Sequence, residues 1–95
     1  MAQVSQVILG DPWLLKSTLT TLASTNELEI VQKTYSAGSF IVVSDDAAPA
    51  GQTVEVIAGD SATLSAAINT LIGLGNTIDL VCQTFSAAHY IVVYR

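Results

Sequence analysis

A chain of 95 residues that sets eight acids against Lys16, Lys33 and Arg95 is short of charge, at 12% where soluble domains average about 25%. Three cations cannot build a basic patch, which argues against a nucleic-acid backbone or an anionic membrane surface as partner. One cysteine, Cys82, excludes an internal disulfide, and the opening "MAQVSQVILGDP" has neither a basic start nor an apolar run long enough for a signal peptide or a span. An intracellular location is therefore expected, in the cytoplasm or within a particle assembled there.

The first element expected is a strand at "SQVILG" (5–10), a β-branched run closed by glycine. Asp11 then stands as a helix N-cap, because its carboxylate accepts the unpaired N–H groups of the first turn. Pro12 follows at the first helical position, where its missing N–H costs no bond. Leu15, Leu19 and Leu22 recur at helical spacing and form one apolar stripe, with Ser, Thr and Lys opposite. Asn26 is placed to stop the helix in a left-handed conformation. Two strands joined by the hairpin tip "YSAGSF" come next, and the returning "FIVV" is apolar at successive positions, so it is covered on both faces.

The chain then repeats itself. "VILGDPWLLKSTLTTL" (7–22) matches "VIAGDSATLSAAINTL" (56–71) at an offset of 49. After one inserted residue, "NELEIVQKTYSAGSFIVV" (26–43) matches "NTIDLVCQTFSAAHYIVV" (76–93) at an offset of 50. Asp60 takes the capping place, Leu64, Ile68 and Leu71 the apolar stripe, and Gly73 or Gly75 the stop. "FSAAHY" is the second hairpin tip, with aromatics flanking it as in the first and positioned to pair across the ladder. The reading is a single α+β domain over 1–95, made of two βαββ repeats (4–44 and 53–95) joined by a linker at 45–52. Six strands and two helices suggest an antiparallel-rich six-stranded sheet with both helices on one face, about a pseudo-twofold axis.

Tandem strand–helix–strand–strand order resembles the duplicated modules of GyrI-like small-molecule binders. The resemblance spans the whole chain as element order, and a ligand groove between the two copies is suggested separately by the pseudo-symmetry and the tyrosines.

Chemistry-bearing residues are few. A two-residue turn at Ala87-Ala88 would set Cys82 opposite Val93 and His89 opposite Ser86, roughly 10 Å apart at about 3.4 Å per residue. Such a pair cannot share a proton, so no catalytic residue is expected and the chain reads as no enzyme. One His and one Cys do not close a zinc site, and Asp45-Asp46 lack the spaced oxygen ligands of a calcium loop, so no metal or cofactor is expected. The repeated "GD" is not a phosphate loop, since a carboxylate at the helix N-terminus repels an anion. Paired carboxylates at Asp11 and Asp60 read as caps.

Trp13, His89, Tyr90 and Tyr94 remain as candidate contacts of an interface or a ligand. In the last strand Tyr90, Val92 and Tyr94 share one face while His89, Ile91 and Val93 share the other, and neither face is made for water. The low charge and the bulky second sheet face point to a self-associating structural or assembly protein, of the kind that builds a particle or a viral component, with a symmetric homodimer as its simplest form. The competing reading is a module that binds a small apolar or aromatic ligand between the repeats.

Overall fold

The computed structural model describes residues 3–10, 12–46 and 49–95. Each repeat follows the expected path: β1 (Gln3–Leu9), α1 (Pro12–Ala23), β2 (Glu27–Lys33) and β3 (Ser39–Asp45), then β4 (Thr53–Ala58), α2 (Ser61–Gly73), β5 (Ile78–Gln83) and β6 (His89–Tyr94). Asp11 lies outside the described residues. Asp60 caps α2, accepting the Thr63 N–H at 2.9 Å, which holds its carboxyl below the usual range. Gly59 before it has no room for a side chain: a Cβ there would meet the Thr63 side chain at 2.6 Å. α2 ends as a Schellman motif, with Gly75 at φ +95° and the Asn76 N–H on the Leu71 carbonyl at 3.2 Å. Gly75 and not the helical Gly73 supplies the left-handed stop. The first repeat closes α1 differently, through the Asn26 N–H on the Leu22 carbonyl at 3.0 Å, with no positive φ at Asn26.

The six strands form two antiparallel three-stranded sheets, β1-β3-β2 and β4-β6-β5, instead of the single sheet expected from the element count. Each keeps its repeat's returning strand in the centre. β2 and β5 approach one another where the sheets converge but share no ladder. Nor do the helices share a face. One continuous core joins Ile8, Val31, Phe40 and Val42 of the first sheet to Leu15, Leu19 and Ala23 of α1, and these to Val54, Cys82, Ile91 and Val93 of the second sheet. α1 is therefore wedged between the sheets, against β1 and β2 on one side and β4 and β6 on the other.

Register tells which face is which. Ile8 pairs with Phe40 and Val31 with Val42, so these share the inner face of the first sheet, while Val7, Ile41, Val43 and Ile30 share the outer one. In the second sheet Val54, Val56, Ile91 and Val93 share the face toward α1. Ile57 and Val92, on its opposite face, are buried outside that core, beneath α2. The layers run first sheet, α1, second sheet, α2. Cα extents of 37 × 34 × 17 Å fit four layers about 10 Å apart along one long dimension and three strands across the short one.

A bulge in each repeat makes this burial possible. The β2–β3 register shifts between Leu28 and Ile30, and the β5–β6 register between Ile78 and Leu80. Looping out Glu29 turns both Leu28 and Val31 inward, which a regular strand would send to opposite faces. The hairpin tips are also longer than a two-residue turn. Thr84 N–H and Oγ1 both donate to the His89 carbonyl, at 3.2 and 2.9 Å, closing a four-residue tip in which Cys82 faces Ile91 instead of Val93. The flanking aromatics do not pair within a hairpin. Phe40 and Phe85 meet edge to face between the two, 5.4 Å apart at 71°.

A polar clasp locks the repeats together. Gln52 accepts the Leu28 N–H at 2.7 Å, donates to the Leu28 carbonyl at 3.0 Å, and donates to Asp79 at 2.9 Å. Arg95 bridges Glu27 and Asp79, each at 3.2 Å. Among the described residues no helix is long and apolar enough to cross a membrane.

Candidate functional site

Total exposed surface is 5206 Å², the same as the roughly 5,200 Å² that mass scaling gives for a compact chain of this size. What is unusual is the kind of surface. Val7 is 64% exposed, Leu9 68% and Ile30 46%, all on the outer face of the first sheet. Ile41 and Val43 fill the centre of that face and are half-buried between their neighbouring strands. No charged side chain interrupts these five positions. Val7 thus points away from α1, and Ile8, one residue on, takes the inward place.

The repeat offsets give four of these five residues an apolar counterpart beneath α1, while Leu9 corresponds to the exposed Ala58. Val7 corresponds to Val56, Ile30 to Leu80, Ile41 to Ile91 and Val43 to Val93. On the second sheet that same set lies under α1, with Ile91 and Val93 wholly buried. Much of one surface thus occurs twice in the molecule, covered once and bare once, with Ser5 and Gln32 on the bare face where the covered one has Val54 and Cys82.

At the other end of the stack, α2 has no buried residue, whereas α1 buries Pro12, Leu15, Leu19 and Ala23. Leu64, Ile68 and Leu71 are half-covered by the second sheet beneath them. Ser61 and Ile72, which correspond to the buried Pro12 and Ala23, are exposed.

The four residues singled out from sequence do not converge. Trp13 is 60% exposed near the start of α1. Tyr90 and Tyr94 lie on the α2 side of the second sheet, half-buried, and the Tyr94 hydroxyl donates to Glu55 at 3.0 Å. Burial first, and then the Glu55 carboxylate, push the Tyr94 phenol up. His89 faces the opposite way, with its Nδ1 2.8 Å from the Ala87 carbonyl oxygen, a local bond at the hairpin tip. Cys82 is buried, its thiol 3.2 Å from the Gln83 carbonyl oxygen, and burial pushes the thiol up despite the opposing effect of Lys33. His89 sits two residues along β6 from Ile91, the partner of Cys82, so the two do not form a nucleophile and its base.

A groove of about 460 Å³ opens where β2 and β5 approach, lined by Val31, Gln32, Lys33 and Thr34 on one wall and Val81, Cys82 and Gln83 on the other. None of the four candidate residues lines it. Lys33 extends its Nζ over the Phe85 ring, 4.8 Å from the centroid. Among the described residues no three His, Cys, Asp or Glu side chains gather to hold a metal ion. Comparison of the chain with family models, with curated proteins and with solved structures finds no match.

Proposed function

We propose that this chain is a non-enzymatic structural protein that works by packing against copies of itself, as a component of an assembled particle does. One observation carries the reading: the outer face of the first sheet is bare although its counterpart on the second sheet is buried core. An uncharged apolar face costs free energy in water at about 25 cal/mol per Å², and covering it by another subunit removes that cost. Sparse charge elsewhere on the chain supports the same reading. Light scattering at micromolar concentration tests it. The expected result is a mass above that of one chain, and a monomer across the accessible range would overturn it.

A second reading, a small-molecule binder, draws support from the groove between β2 and β5. It lacks the tyrosine lining first expected, and its cation is Lys33, so an aromatic acid is the ligand class that suits it. A thermal-shift screen of aromatic acids tests this, with stabilisation lost in Lys33→Ala as the supporting result and no stabilisation by any member as the refuting one.

A further inference from the structure

We propose that copies of this chain associate head to tail, the exposed stripe of α2 in one copy docking on the bare outer face of the first sheet in the next, in the same way that α1 docks on the second sheet within a chain. This rests on the self-association reading above and names its geometry.

The internal joint is the template. Inside one chain, the first repeat presents α1 to the second repeat's sheet, and the face that receives it consists of Val54, Val56, Leu80, Ile91 and Val93. The second repeat has the corresponding helix, with Ser61 and Ile72 for Pro12 and Ala23, and the first repeat has the corresponding face, with Ser5 and Gln32 for Val54 and Cys82; among the described residues each lacks its mate. Were the repeats related by a true twofold, α2 would return onto β1 and β3 of its own chain. It lies instead against β4 and β5, with no comparable contact to the first sheet. The operation that carries one repeat onto the next is therefore open. Applied once more, it brings α2 onto the first sheet of another molecule.

Stacked repeats normally end in a cap whose outer face is polar, because the last unit has no neighbour. Here the terminal face carries Val7, Leu9 and Ile30, and the terminal helix exposes Ile72 at 52%. Among the described residues the sheet end has no such cap, and the helix end is polar at Ser61 and Ser65 but not at Ile72. The surfaces also match in charge, since Ser61, Ser65 and Ile72 on the helix and Ser5, Val7 and Ile30 on the sheet bury no ion when they meet.

A polar contact at the rim follows the same rule. Gln52 is held by Asp79 of its own repeat and reaches the Leu28 backbone of the preceding one. Its counterpart Gln3 donates in the same way to Glu29, the counterpart of Asp79. In the assembly Gln3 reaches the Ile78 backbone of the preceding copy. The Arg95–Glu27 bridge is not reproduced, because the corresponding residues are Asp45 and Thr77. The joint between copies is weaker than the joint within one, and association is concentration-dependent.

Two exposed substitutions and their mixture provide the test. Val7→Glu blocks the receiving face and Ile72→Glu blocks the docking stripe, and neither position belongs to the buried core. In sedimentation velocity the wild type should form species beyond the dimer that grow with concentration. Each variant alone should run as a monomer with an unchanged circular-dichroism spectrum. Mixed in equal amounts, they should form a dimer and nothing larger, because the intact helix of one fits the intact sheet of the other. A mixture that stays monomeric, or variants that assemble like the wild type, would overturn the head-to-tail geometry while leaving self-association standing. A wild type that never exceeds one chain would overturn both.

Discussion

Ile91 and Val93 are sealed in the second sheet, while Ile41 and Val43, written with the same letters in the first, have only their flanking strands for cover. The "IVV" strand is apolar on both faces in each repeat because each needs two partners, a helix of its own repeat and a helix from the repeat before. β6 has both partners. β3 has one. In a tandem structure the environment of a residue is thus set by position in the stack as much as by the residue itself. The same holds for the helices: Leu19 has a sheet on either side and Ile68 has one.

Truncating the two helical residues gives the largest separation. Leu19→Ala, at a position with no exposure, should cost about 3–5 kcal/mol in urea denaturation, since both sheets hold the cavity open. Ile68→Ala should cost only about 1–2 kcal/mol in dilute solution, where its side chain is already partly exposed. Equal costs would break the comparison. A cost at Ile68 that rises with protein concentration would sharpen it, because stacking copies buries that side chain.

The glutamines make a smaller contrast. Gln52→Ala removes three hydrogen bonds and leaves the backbone of the buried Leu28 without its partner, so about 1–3 kcal/mol should be lost. Gln3→Ala, at the free end of the stack, should change the stability of the dilute protein by no more than about 0.5 kcal/mol. Chemical denaturation of both variants checks this, and a Gln3 variant as damaged as the Gln52 variant would mean that the first sheet is already paired at low concentration.

Much of the fold was legible in the letters. Duplication, the βαββ order, the Asp60 cap, the Leu15 and Leu19 stripe and the two-sided burial of "YIVV" all follow from local chemistry and periodicity. What was not legible depends on relations between elements. Whether β2 and β5 pair or merely converge is a matter of how α1 wedges the sheets, and neither strand's pattern records it. Glu29 and Asp79 look like ordinary strand residues until the bulge that excludes them is seen. Each hairpin closes over four residues, with Thr34 or Thr84 bonded to the Ser39 or His89 carbonyl, in place of the two-residue turn expected in the second. The candidate site was missed for a related reason. Trp13, His89, Tyr90 and Tyr94 attracted notice because the repeats differ at or near them, whereas Val7, Ile30, Ile41 and Val43 of the bare face lie where the repeats stay apolar and their surroundings differ. An alignment of the two halves holds that signal only once one half is known to be covered.

The smallest effect expected concerns the ends of α2. A helix held by one sheet relies more on its own termini than one held by two, and α2 carries both an Asp60 cap and a Schellman close. Hydrogen bonds from Thr63 lower the Asp60 carboxyl below its ordinary 3.8. A carboxyl lowered in the folded state binds protons less readily there than in the unfolded chain. Its stabilisation is therefore complete above the unfolded value and is lost as pH falls through the folded one. Asp60→Ala should melt below the wild type at neutral pH, and the gap should narrow once pH drops beneath 3.8, when the wild-type carboxyl takes up its proton. Asp60→Asn keeps an acceptor for the Thr63 N–H without the charge, so it should retain much of the stability and show no such pH dependence. Melting curves of the three proteins from neutral to acid pH separate the outcomes, and a gap that is independent of pH would show that the cap works through its geometry and not through its charge.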